Sequence, residues 1–254
     1  MQILLACAKI MNDKPVRSGL PLTAPCFLEE AEAFARDMMR YEEAEIACML
    51  NCSSQIAVQN KWRYQHFFDE DNPLKPALMA YHGQAYKHLK AETFTDADLS
   101  YADKHLWIVS FLYGLLRPSD GIRSYRLEGN VTLPSGKGQN MFGFWKLRLT
   151  DLLIEAVKAD DGVLLHLATE EFQHVFDWKR VTEEVRVVQP LFYTRQGNCL
   201  KMQAVWAKSC RGAMTRFVVC NRWNNPEQLN RFSYEGFEYS PNLGEPDFPH
   251  FVRE

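Results

Sequence analysis

Six basic residues, Arg195, Lys201, Lys208, Arg211, Arg216 and Arg222, fall between Val187 and Pro226, a stretch without a single Asp or Glu. The whole chain carries a formal net charge of -3, so the remainder is acidic and the charge is sorted along the sequence. Cations gathered this way repel one another unless an anion neutralises them, which suits phosphate or carboxylate binding; a solvated basic face is the competing reading. From Ala207 onward Cys210, Ala213, Met214, Phe217 and Cys220 share one side of a helix. At roughly 100° per residue Lys208, Arg211, Thr215 and Arg222 take the opposite side, with Arg216 on a flank. The first turn thus carries Lys208 and Arg211, where the helix dipole favours acids. An anion, or a carboxylate from elsewhere in the chain, is expected beside that turn.

A second group occupies LYGLLRPSDGIRSYRLEG, residues 112–129, directly after an apolar run. Arg117, Asp120, Arg123, Tyr125, Arg126 and Glu128 crowd there, at a strand end, where a scaffold can hold free side chains. Arginine's planar fork suits a phosphate or carboxylate, and an internal Arg117–Asp120 network is the alternative. Lys9 closes the first apolar strand and is a candidate phosphate ligand, electrostatic stabiliser or nucleophile, unless it simply emerges into solvent. Glu128 is the candidate general acid or base. His166, inside an apolar run, reads as a satisfied core histidine, and Cys7 beside Lys9 as a buried, inert thiol rather than an activated one. Gly-rich phosphate loops, HExxH and GxSxG are missing from the sequence, so no named reaction follows.

The elements that must position these residues are legible in outline. Gln2–Ala8, Leu106–Tyr113 and Val163–Ala168 are apolar runs suited to strands buried on both faces. Residues 27–49 predict an acidic helix, 52–68 a second one, and Asp96–His105 a short one; Ala77–Tyr86 reads as an apolar turn or strand around Gly83. Thr169 reads as the cap of a helix over EEFQHVF. Val185–Phe192 and Leu200–Trp206 flank the turn signal Arg195–Asn198. Strands and helices do not alternate strictly, which predicts a mixed β-sheet covered by helices, in a single domain spanning 1–254. Apolar residues make up 46% of the 254, enough for a sizeable core, and no run is long enough to cross a membrane. The N-terminus lacks the charged flank of a signal peptide, and the seven cysteines are odd in number and scattered, so a cytoplasmic location is expected. Cys48 and Cys52 stand at i, i+4, but neither His66 nor His82 completes a metal site; no metal and no cofactor are implied.

LYGLLRPSD, SYRLE, HLATEEF, CRGAMTRFVVCNR and FSYEGFEY occur in the order and spacing of the YaaA family, the bacterial peroxide-stress proteins, which this chain resembles over essentially its whole length. Ala8-Lys9 is similar to that family's SPAK start, with Ala6-Cys7 in place of Ser-Pro and Ile10 in place of the usual Thr. AETFTDADLSYADKHL is similar to the segment before the family's central strand. The resemblance implies a protein that withstands hydrogen peroxide by limiting free iron and oxidative DNA damage. It also implies an unusual mixed α/β topology, a basic cleft and a helix-hairpin-helix element, for which residues 46–68 are the candidate here. On that basis the expected partner is duplex or structured DNA, held without sequence preference by Lys9, Arg117, Arg126, Lys208, Arg211, Arg216 and Arg222. Trp62, Tyr64 and Trp145 would stack on unpaired bases. The alternative is an enzyme acting on a phosphorylated or carboxylated small molecule in a pocket of Lys9, Tyr113, Arg117, Tyr125, Arg126, Glu128, Lys208 and Arg211.

Overall fold

The computed structural model describes residues 1–12 and 21–254. The first half of the chain supplies strands β1 (Gln2–Ala6), β2 (Lys75–Pro76), β3 (Leu106–Ser110), β4 (Gly114–Leu116) and β5 (Gly121–Ile122). The second supplies β6 (Val163–His166), β7 (Arg186–Val188), β8 (Leu191–Gln196), β9 (Cys199–Lys201), β10 (Ser233–Tyr234), β11 (Phe237–Glu245) and β12 (Phe248–Arg253). Two five-stranded sheets, ordered β4-β3-β1-β6-β7 and β10-β11-β12-β8-β9, form beside a small β2-β5 pair. Both large sheets mix parallel and antiparallel neighbours, giving the predicted mixed α/β class.

Strand order in the first sheet decides where a ligand can sit. β3, β1, β6 and β7 run parallel, and only β4 is reversed. From β1 the chain travels to β3 on one side; from β6, on the other side of β1, it travels outward to β7. Neighbouring strands whose connections leave in opposite directions open a crevice at their C-terminal ends. Here that crevice lies between the segments following β1 and β6. Ile3, Leu4, Ile108, Val109, Leu164 and Leu165 are fully buried, as parallel strands under helices require.

The helices are α1 (Leu28–Met38), α2 (Glu43–Met49), α3 (Ser54–Gln65), α4 (Ala77–Ala80), α5 (Gln84–Leu89), α6 (Asp96–His105), α7 (Met141–Lys158), α8 (Trp178–Glu184) and α9 (Ala204–Asn221). Several differ from the sequence expectation. The acidic helix of 27–49 is two helices, because Glu42 and Glu45 form a capping box that starts α2 afresh. Residues 77–86 hold α4 and the start of α5, not a strand, with Gly83 at the α5 N-cap in extended conformation. The strand expected at Leu200–Trp206 stops at Lys201, and α9 begins at Ala204. After Thr169 the chain makes a 3₁₀ turn over Glu170–Val175, and the threonine side chain makes no capping bond. Among the described residues no helix is long and apolar enough to cross a membrane.

Candidate anion-binding cleft

A cleft of about 750 Å³ opens at the crevice between β1 and β6. Cys7, Ala8 and Lys9 enter it from the end of β1, Thr169, Glu170 and Glu171 from the end of β6, and Arg126 and Glu128 from the 112–129 loop. One wall is the face of α9 that carries Ala204, Ala207, Lys208 and Arg211; the start of α5 contributes Gln84 and Lys87. Its volume is in the range of small-molecule sites. Five basic side chains, Lys9, Lys87, Arg126, Lys208 and Arg211, face three acidic ones, Glu128, Glu170 and Glu171. In a net acidic protein that is a local excess of positive charge.

Arg211 is the pivotal residue. Only 9% of it is exposed, yet among the described residues its guanidinium makes no hydrogen bond or ion pair. Burial lowers its pKa, opposed chiefly by the charge of Glu170, so the neighbouring acid does not offset the desolvation. A largely buried arginine whose guanidinium has no protein partner among the described residues carries a desolvation cost that an anion would offset. The end of α9 points the same way. Gln203 caps it without a side-chain bond, leaving first-turn N–H groups open, and Ala204 lies on the cleft. Lys208 lies one turn and Arg211 two turns in from that end, on the same cleft-facing side as Ala204. Because α9 begins at Ala204, neither Lys208 nor Arg211 stands in its first turn, and the conflict with the helix dipole expected from sequence does not arise.

A polar network runs from the rim to the floor of the cleft. Lys9 Nζ meets Glu128 Oε2 at 2.8 Å, while Arg126 Nε and Nη2 both reach Oε1 at 3.0 Å. Both carboxylate oxygens are engaged by cations, so the role this geometry supports for Glu128 is holding Lys9 and Arg126 side by side. Tyr64 donates to the Arg126 carbonyl at 2.8 Å and fixes that segment from behind. Ser110 Oγ accepts from the backbone N–H groups of Leu112 and Tyr113, so its own proton goes to Tyr125, 2.6 Å away. Tyr125 in turn meets Tyr81 at 2.8 Å. Cys7 sits against this network; burial, and then the charge of Glu128, pushes its thiol up to about 12. The thiol is protonated near neutrality, although Cys7 is half-buried on the cleft lining rather than buried as the sequence predicts.

Of the seven cations predicted for one cleft, the structure brings four together: Lys9, Arg126, Lys208 and Arg211. Arg117 lies at the opposite end of the same sheet. It stacks on Trp107 with its guanidinium carbon 3.2 Å from the ring centroid, and donates to the Lys104 carbonyl and toward Gln2. Arg216 donates to the Lys90 carbonyl and the Thr93 hydroxyl, and Arg222 pairs with Asp98 at 3.1 Å. These three serve intramolecular contacts. Tyr113 is buried away from the cleft lining, its hydroxyl accepting from the Arg123 backbone N–H at 3.1 Å, and Tyr64 and Trp145 are fully buried, which removes them as base-stacking platforms; Trp62 alone of that trio is exposed. His166 is buried but not satisfied: among the described residues neither ring nitrogen has a hydrogen-bond partner. Gln84, Lys87, Glu170 and Glu171 were not singled out from sequence. For the two glutamates the usable signal was their place just after a buried parallel strand. Cys48 closes α2 while Cys52 lies in the following turn, so the pair shares no helix face. Among the described residues no three His, Cys, Asp or Glu side chains converge as metal ligands.

Fold and cleft together define an α/β protein with a ligand crevice at a strand switch point. The sequence profile described as peroxide stress protein YaaA matches residues 1–243, and the chain belongs to that family. It is 44% identical over 246 residues to a UPF0246 protein of Bacteroides thetaiotaomicron, spanning 96% of this chain and 95% of that one. A UPF0246 protein of Porphyromonas gingivalis is 42% identical over 256 residues, covering 100% of both chains. One of Legionella pneumophila is 34% identical over 257 residues, covering 100% of this chain and 99% of its own.

Proposed function

We propose that this peroxide-stress protein binds a phosphate- or carboxylate-bearing ligand of small-molecule size in the cleft. The anion would lie between Arg211, Lys208 and the first turn of α9. The observation that supports this most directly is the nine-tenths-buried, unpartnered Arg211 on a cleft wall. Lys9 and Arg126, fixed through Glu128, would hold a second polar group of the ligand. The physiological outcome we assign is the one the family resemblance implies, less free iron and less oxidative damage to DNA.

A second reading is direct, sequence-independent DNA binding. Its support is the exposure of Lys9, Lys87 and Lys208 on the rim, where phosphates of a strand could reach them. A duplex, roughly 20 Å across with its major groove about 12 Å wide, exceeds the cleft, so a strand would lie over it rather than inside. The α2–α3 pair, joined through residues 50–53, is the candidate hairpin in this reading.

Titration calorimetry with inorganic phosphate, AMP, citrate and a 20-base-pair duplex, on wild type and Arg211→Met, tests the proposal. Binding of a small anion that is lost in Arg211→Met supports the cleft reading. Duplex binding that small anions do not displace and Arg211→Met does not weaken moves the function to the rim. If none binds at low salt, both readings fall.

A further inference from the structure

Gln84 stands at the start of α5 on the cleft, and its amide is fixed by a relay that passes through α9 and β10. Ser209 on α9 donates its hydroxyl proton to the Val205 carbonyl at 3.0 Å. Its oxygen can therefore only accept from Gln84 Nε2, 2.9 Å away, which places the amide nitrogen on that side. The same nitrogen reaches His88 Nε2 at 3.0 Å, so that ring nitrogen must be the unprotonated acceptor. His88 then carries its proton on Nδ1 and donates it to the hydroxyl of Tyr234 on β10. Burial lowers the His88 pKa, which is consistent with the neutral ring this relay needs.

Both amide protons of Gln84 are thus spent, while Oε1 accepts no bond among the described residues. The side chain's position is equally fixed. An added Cβ on Gly212, next to Arg211, would stand 1.8 Å from the Ala85 carbonyl oxygen, and one on Gly83 would stand 2.6 Å from the Ala8 Cβ. Those close approaches put the start of α5 between α9 and the end of β1, and Gln84 lines the same cleft as Arg211. A neutral acceptor held in place next to a cationic pocket selects for a donor on the ligand, because its lone pair goes unmet otherwise.

We propose that Gln84 is the specificity-determining residue of the cleft, and that the ligand carries a hydroxyl or amino donor next to its anionic group. This rests on the anion-binding reading above. Inorganic phosphate, glycerol 3-phosphate and propyl phosphate, the last two alike in size but differing in hydroxyls, would be titrated into wild type, Gln84→Met and Ser209→Ala. Wild type is expected to prefer glycerol 3-phosphate to propyl phosphate by about fivefold, the worth of one net hydrogen bond. In Gln84→Met the preference should fall to about one, with inorganic phosphate binding unchanged. Ser209→Ala, which frees the amide to turn without crowding the helix, should lower it partway. Phosphate binding with a preference that survives Gln84→Met, or that is missing from wild type, overturns the Gln84 assignment alone. Failure of all three probes to bind wild type overturns the anion site and this inference with it.

Discussion

Replacing Arg211 with Met should make the ligand-free protein more stable. Met preserves most of the aliphatic stem and removes a guanidinium that is unpartnered among the described residues, from a residue only 9% exposed. Full desolvation of such a charge costs several kcal/mol. Part of that is relieved on the open side of the cleft, leaving a gain of about 1–2 kcal/mol for the variant. At roughly 2–4 °C per kcal/mol for a chain of this size, Tm should rise by about 2–8 °C. Urea and thermal unfolding in low-salt buffer free of phosphate and citrate would measure it. Adding an anion that binds the site at 100 times its Kd stabilises wild type by about 2.7 kcal/mol and should reverse the order of the two proteins. If Arg211→Met is the less stable protein in anion-free buffer, the arginine has a structural partner role and the argument for an anion site fails.

Gly212→Ala should cost about 3 kcal/mol or more in urea unfolding, since the new Cβ would meet the Ala85 carbonyl oxygen at 1.8 Å and both groups belong to packed helices. His166 is buried with its pKa lowered to about 3, mainly by desolvation, so the folded ring stays neutral while the unfolded one protonates below about 6.5. Its contribution is therefore complete above pH 6.5 and lost as pH falls toward 3; between pH 6.5 and 5 the loss is about 2 kcal/mol. A His166→Phe variant, with a ring still against Trp178, should show a correspondingly flatter stability profile by denaturant unfolding at both pH values. The Cys7 thiol, with a pKa of about 12, should resist iodoacetamide at pH 7.5 while the exposed Cys26, Cys48 and Cys199 are modified, as read by peptide mass spectrometry. Rapid labelling of Cys7 in the folded protein would show that the thiol is not held as described.

Much of the framework was written in local pattern. The apolar runs at Gln2–Ala6, Leu106–Ser110 and Val163–His166 are strands because a parallel strand under helices must be apolar on both faces. Asp96–His105 is a helix with the bounds its pattern predicts, begun by the Thr95–Asp98 capping box. The basic stretch on α9 and the candidacy of Lys9 also followed from sequence alone. What sequence could not give was which cations share a site. Lys9 and Arg117 both stand near strand ends, but Lys9 follows β1 and Arg117 follows the reversed strand β4, so they emerge at opposite ends of the sheet. Nor could periodicity show that part of the basic side of α9 is covered, with Arg211 and Thr215 buried while Lys208 and Arg222 stay exposed. Gly212 sits in the middle of that side, and its missing side chain admits the backbone of α5, which buries Arg211 and Thr215. The sequence by itself determined which segments are strand, helix and cation; strand order and one close helix contact, both set by long-range packing, decided which cation is left buried and open to a ligand.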